Sequence, residues 1–229
     1  MTTPRNETIA ADGGASFQAY VSEPKQPNGH AVIVLQEIFG VTRHIRAIAD
    51  RFAADGWLAC APDLFWREQP GIELSHSKED IEKAFAIMGR YRDDDGMADI
   101  DAVARHVRAR PGFDGRVAVA GMCLGGKLAY LAAARCEVDA AIAYYGVGIE
   151  KHLDLAPGLR CPLQMHFGDQ DRYVPAEARA QIAQAVAGKP VQVHTYPGAD
   201  HGFYTRGAEA DIALARERSN EFLRQHLKR

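Results

Sequence analysis

Four short stretches of this chain carry the side chains that could do chemistry. "GMCLGG" sets Cys123 between Gly121 and Gly125, "GDQDRYVP" holds Asp169 and Asp171, "GADHGF" holds His201, and "QEIFG" holds Glu37. A thiol, an imidazole and a carboxylate are the parts of covalent acyl transfer. The thiolate attacks a carbonyl, the imidazole moves protons, and the acid orients the imidazole. Each residue also has a plainer reading. A cysteine in a tight turn is often a small packed residue. An aspartate after a glycine often caps a turn. A glutamate at a strand end is often a surface acid.

The elements around these residues decide between the readings. "HAVIVLQ" is a continuous β-branched run, as in a strand covered on both faces. Ile45, Ile48, Ala49, Phe52 and Ala53 recur at helical spacing, and Gly56 follows as a stop. "WLACAPDLF" reads as a strand and "SKEDIEKAFAIMGRY" as a helix capped by Ser77. Ile100, Val103, Ala104 and Val107 mark a helix stopped by Pro111 and Gly112. Strand "RVAVAG", helix "LGGKLAYLAAAR", and strands "DAAIAYYG" and "CPLQMHFG" come next. Helix "AEARAQIAQAVAG", strand "VQVHTYP" and a helix from about Ala208 complete the pattern. The alternation implies an α/β chain with a mostly parallel sheet and helices on both faces. "SFQAYVSEP" is expected to add an antiparallel edge strand. No interdomain linker is visible, so residues 1–229 read as one domain.

In a parallel sheet, loops that follow strands emerge at one edge, where α/β proteins build their sites. All four reactive stretches are such loops. Between Asp171 and His201 lie one helix of about twelve residues, roughly 18 Å long, and one short strand. The helix goes down and the strand comes back, which returns both residues to one edge. "G-M-C-L-G" is then a nucleophile elbow with cysteine in the place of serine. The sharp turn from strand to helix needs small residues two before and two after the nucleophile, and Gly121 and Gly125 supply them. Gly126 helps the helix pack. The turn also puts Cys123 at a helix N-terminus, where the dipole favours thiolate.

Composition sets the remaining bounds. The 229 residues are 47% hydrophobic and 25% charged, with a net charge of -3. These values suit a soluble globular protein with neither a nucleic-acid footprint nor a basic membrane patch. The polar start "MTTPRNETIAADGG" has no apolar region of a signal peptide. No run approaches the roughly 18 apolar residues of a membrane span. Cys60, Cys123, Cys136 and Cys161 form no C-x-x-C pair and read as reduced thiols in a cytoplasmic protein. Of the nine histidines, His30, His44, His106, His152 and His226 are expected to be solvated, and His166 and His194 sit within strands. His76 is a candidate rim residue. Only His201 occupies a Gly- and Asp-flanked loop after the last strand. No H-x-x-x-H or Cys/His cluster points to a metal. Spacing leaves Asp169 and Asp171 as rival acids, with a modest edge to Asp171.

The chain resembles the dienelactone hydrolase family over nearly its whole length. The resemblance rests on "QEIFGV", "APDLF", "GMCLGG", "YYGVG", "GDQDRYVP" and "HGF", in that order. It implies an α/β-hydrolase fold and a cofactor-free hydrolase that opens dienelactone, an enol lactone, to maleylacetate in chloroaromatic degradation. It favours Asp171 as the acid, so Cys123, Asp171 and His201 form the triad. It makes Glu37 an extra carboxylate that deprotonates Cys123 when substrate binds. The oxyanion hole is expected from the N–H groups of Leu124 and Ile38. Phe39 and Tyr145 are expected to line the substrate site. The family also holds a substrate carboxylate with arginines. Arg206, five residues beyond His201, is the candidate here. The stretch expected to hold the second, "SKEDIEKAF", contains none; Ile81 occupies that place, with Lys78 and Lys83 nearby. The expected partner is a small lactone or ester, with or without a carboxylate, bound by a monomer. The alternatives are acyl transfer or thioester hydrolysis on the same triad, or a ligand-binding or thiol-sensing module.

Overall fold

A computed structural model describes residues 3–228, so Met1, Thr2 and Arg229, including the start of the polar N-terminal stretch, lie outside it. The chain divides into two compact units, Met1–Val117 and Ala118–Arg229.

The first unit opens with a hairpin. β1 (Thr3–Ala10) pairs antiparallel with β2 (Ser16–Glu23), from Thr3 opposite Glu23 to Ala10 opposite Ser16. β2 also pairs antiparallel with β4 (Leu58–Pro62), which runs parallel to β3 (Ala31–Leu35). The expected edge strand is therefore antiparallel but interior to this group, and β1 takes the outer place. β1 escapes pattern reading because its side chains are polar for a specific reason. Glu7 accepts hydrogen bonds from Arg5 (2.8 Å), Arg110 (2.9 Å) and His106 (2.8 Å). Burial pushes the Glu7 carboxyl up, but these donors outweigh it and hold its pKa at about 2.

Three helices complete this unit: α1 (Arg43–Ala54), α2 (Lys78–Met88) and α3 (Asp93–Arg108). In α1 the buried residues are the five apolar ones at helical spacing, and the chain leaves through Gly56 at φ 99°. Ser77 caps α2, its hydroxyl accepting from the Asp80 N–H at 3.2 Å. α3 begins with Asp93, Asp94 and Asp95 and ends with Arg105, His106 and Arg108, a charge order that suits the helix dipole.

The second unit is the βα alternation that the sequence implies. Its strands are β5 (Val117–Met122, whose first residue closes the first unit), β6 (Ala140–Tyr144), β7 (Leu163–Gly168) and β8 (Val191–Tyr196). Each pairs parallel with the next. α4 (Leu124–Arg135) follows β5, α5 (Ala176–Ala185) follows β7, and α6 (Phe203–Arg206) and α7 (Glu209–His226) follow β8. β5, β6 and β7 are buried at every position; β5 and β6 read as unbroken apolar runs, whereas β7 also buries Gln164 and His166. α4 is buried from Leu124 to Ala134, which explains its lack of a polar face. A Cβ on Gly126 would collide with the Tyr144 carbonyl, so that glycine sets how closely α4 approaches β6. Two 3₁₀ segments, Ile149–Lys151 and Leu153–Gly158, follow β6. Among the described residues no helix is long and apolar enough to cross a membrane.

Candidate active site

Because β5 to β8 run parallel, their C-terminal ends share one edge of the second unit. Cys123 follows β5, Tyr145 follows β6, Asp171 lies beyond β7 and His201 beyond β8.

Cys123 stands between β5 and α4 with φ 55° and ψ −111°, a backbone conformation that side chains rarely adopt. Its N–H donates to Tyr144 O at 3.1 Å, and its carbonyl accepts from Lys127 N at 3.1 Å. A Cβ on Gly121 would collide with the Gly125 carbonyl, so the turn closes only with glycine there. The Leu124 N–H is the first of α4. Cys123 is half-buried, whereas Cys60, Cys136 and Cys161 are buried. Burial pushes the thiols of Cys60 and Cys161 up to about 12, which keeps them protonated and unreactive.

Asp171 and His201 meet. His201 Nδ1 lies 2.8 Å from Asp171 Oδ2. A carboxylate only accepts, so Nδ1 carries the hydrogen and the neutral ring keeps its lone pair on Nε2. The other oxygen, Oδ1, accepts from the N–H groups of Tyr173 (2.8 Å) and Val174 (3.2 Å). The Asp171 side chain is fully buried, and that of His201 is 10% exposed. Asp169, the rival acid, is engaged elsewhere. Its Oδ1 accepts from Gly198 N at 2.7 Å and its N–H donates to Tyr196 O at 3.1 Å. With Gln170 N donating to Ala199 O at 3.0 Å, it stitches the Asp171 loop to the His201 loop.

Two aromatic rings flank His201. Tyr145, at φ 38°, stands edge-on to the imidazole with centroids 4.9 Å apart, and Tyr173 does the same at 4.8 Å. Tyr173 is a residue that sequence reading passes over, although it sits two positions beyond Asp171 in a quoted stretch. Arg206 is exposed, its guanidinium folded over Gly202 with Nη1 donating to Thr205 Oγ1 at 3.1 Å.

Glu37, Ile38 and Phe39 belong to the first unit, just past β3. Glu37 is 4% exposed, Ile38 is half-buried, and the Phe39 ring packs against exposed His76 at 4.3 Å. The expectation of five solvated histidines needs correction. His30, His44, His106, His152 and His226 are all half-buried. His106 bonds Glu7, and His30 Nδ1 accepts from Arg116 N at 3.1 Å. Among the described residues, no three His, Cys, Asp or Glu side chains group as a metal ion would need.

A parallel βα series with a strained cysteine at a strand–helix turn and a buried Asp–His pair at the same strand ends is the arrangement of α/β-hydrolases. Known proteins agree. The chain belongs to the dienelactone hydrolase family, whose model matches residues 17–229. It is a hydrolase of carboxylic esters and lactones. A carboxymethylenebutenolidase of Pseudomonas putida is 36% identical over 222 residues, covering 94% of each chain. A protein of Azospirillum brasilense assigned the same activity is 40% identical over 235 residues, covering 96% of this chain and 98% of its own. The crystal structure of a protein from Klebsiella pneumoniae, assigned as a dienelactone hydrolase, superposes with a TM-score of 0.82 at 28% identity, covering 97% of each chain.

Proposed function

We propose that the chain opens an enol lactone of the dienelactone type through a covalent thioester on Cys123. The observation that carries this reading is the strained turn that presents Cys123 in the unit that also holds the His201–Asp171 pair. The relatives named carboxymethylenebutenolidase supply the substrate class.

In this reading the Cys123 thiolate adds to the lactone carbonyl. The oxyanion takes hydrogen bonds from the N–H groups of Leu124 and Ile38. Collapse breaks the ring C–O bond and releases an enolate that stays tethered through its acyl chain and takes up the proton that Glu37 received from the thiol. Water attacks the thioester while His201 Nε2 takes a proton from it, and the C–S bond breaks as that proton passes to the departing sulfur and restores the thiol. Asp171 fixes the tautomer and supports the imidazolium. Glu37 and Ile38 join the proposal on the "QEIFG" pattern, Glu37 as the acceptor of the thiol proton. Tyr145 and Phe39 line the substrate and Arg206 takes a substrate carboxylate. The family match across residues 17–229 supports one hydrolase domain. The reading needs no second copy of the chain, because Cys123, Asp171 and His201 lie in one unit.

The test is Cys123→Ala. Alanine suits the turn in size, so the variant is expected to fold and to lose nearly all lactone turnover. Mass spectrometry of acid-quenched wild-type protein should find a substrate acyl group on Cys123. Wild-type-like turnover in the variant rejects the reading.

A further inference from the structure

Arg179 sits in the first turn of α5, where the helix dipole presents its positive end and disfavours a cation. Its side chain does not run out into solvent. The guanidinium turns back into the loop that carries Asp171, and Nη1 donates to Val174 O at 2.8 Å and to Gly168 O at 3.2 Å. Nη2 donates to Asp169 O at 3.2 Å. Gly168 is the last residue of β7, and Val174 immediately precedes the helix cap Pro175. One planar fork therefore ties the two ends of the loop together, with Asp171 between them. Three main-chain acceptors offset the dipole's opposition to a charge at this end of α5.

The bonds within the loop show what this fixes. Asp171 Oδ1 is held by two N–H groups of the loop itself, Tyr173 and Val174, so the carboxylate moves with the loop backbone. Its Oδ2 is the atom that receives His201 Nδ1. We propose that Arg179 is a positioning residue. It sets the depth and direction of Asp171, and through Asp171 the orientation of His201. The inference rests on the reading of Asp171 and His201 as a catalytic pair. Arg179 acts on the loop ends and not on the reacting atoms. Lysine replaces it only in part, because a single ammonium lacks the flat fork that spans carbonyls from both ends.

The experiment compares Arg179→Met, Arg179→Lys and Arg179→Ala with Asp171→Asn, well below each variant's melting temperature. A misplacement of about 1 Å costs on the order of 100-fold in rate. Arg179→Met should therefore lose about 10- to 100-fold in kcat with KM little changed, and Arg179→Lys should fall between it and wild type. Guanidinium at sub-denaturing concentration should restore part of the kcat of Arg179→Ala, where sodium or ammonium at the same ionic strength should not. Unchanged kcat in Arg179→Met overturns the inference, as does a kcat loss in Arg179→Ala without guanidinium rescue. Asp171→Asn separates the two levels. If it retains full kcat, the catalytic pair itself is wrong; if it collapses while Arg179→Met does not, only the role of Arg179 is wrong.

Discussion

Two histidines in the second unit, His166 on β7 and His201 after β8, show how surroundings divide one residue type into two uses. His166 is buried and both ring nitrogens have neutral partners. Nε2 lies 2.9 Å from Gln164 Oε1 and donates to it, and Nδ1 accepts from the Tyr196 hydroxyl at 2.8 Å. Its ring stacks on Tyr144 with centroids 4.7 Å apart. Burial, followed by the nearby His194 and Arg218, holds its pKa well below the usual imidazole value. The proton on His166 has nowhere to go. His201 has the Asp171 carboxylate 2.8 Å from Nδ1 and is partly exposed. A closed neutral network stores stability; an open one with an acid behind it can run a proton cycle.

The comparison breaks if the two positions respond alike. The largest effect expected is in catalysis. His201→Asn should lower kcat by about 10²- to 10⁴-fold, the usual worth of a positioned acid–base group, with a melting temperature close to wild type. Steady-state assay and calorimetry on one preparation check both halves.

His166→Leu should do the reverse. It takes the acceptor from the Tyr196 hydroxyl and the donor from Gln164 Oε1, each buried loss costing about 1–3 kcal/mol. A urea titration should therefore show a loss of about 2–5 kcal/mol, while activity per folded molecule stays near wild type. If kcat falls as far as in His201→Asn, the two networks are one.

The smallest effect is in pH dependence and sharpens the contrast. His166 has a folded pKa below its unfolded value of about 6.5. As pH falls below about 6.5, the unfolded chain takes up a proton that the folded chain refuses, so stability drops. One such group contributes a slope of at most about 1.4 kcal/mol per pH unit. His194 and His226 are shifted the same way, mainly by burial. His166→Gln should flatten the slope of urea midpoints between pH 6.5 and 5 without abolishing it. An unchanged slope would mean that His166 titrates in the folded state.

These features differ in how far the sequence exposes them. The parallel strands are legible because β5 and β6 are buried throughout and nearly apolar throughout, and β7 keeps Leu163, Met165 and Phe167 around its two polar residues. The four candidate loops follow from that order. β1 is hidden because its polar residues answer α3 and the turn after it across more than ninety positions of sequence, Glu7 meeting His106 and Arg110. The choice between Asp169 and Asp171 is equally closed to spacing. Two residues on one turn differ only in which partner each one faces, Gly198 N or His201 Nδ1. α6 is four residues long, too short for any periodicity. Arg179 reads as an ordinary helix residue until its three carbonyl partners are seen.

The backbone of Cys123 has an evolutionary consequence. Holding a side chain at φ 55° costs of order 1–3 kcal/mol. Glycine would be released from that strain and would lose only about 0.5–1 kcal/mol to its greater freedom when unfolded. A single change from cysteine to glycine would then yield a chain that folds more readily and catalyses nothing through this position. Inactivity lies downhill in folding free energy at this residue, so the thiol persists only while its chemistry is under selection.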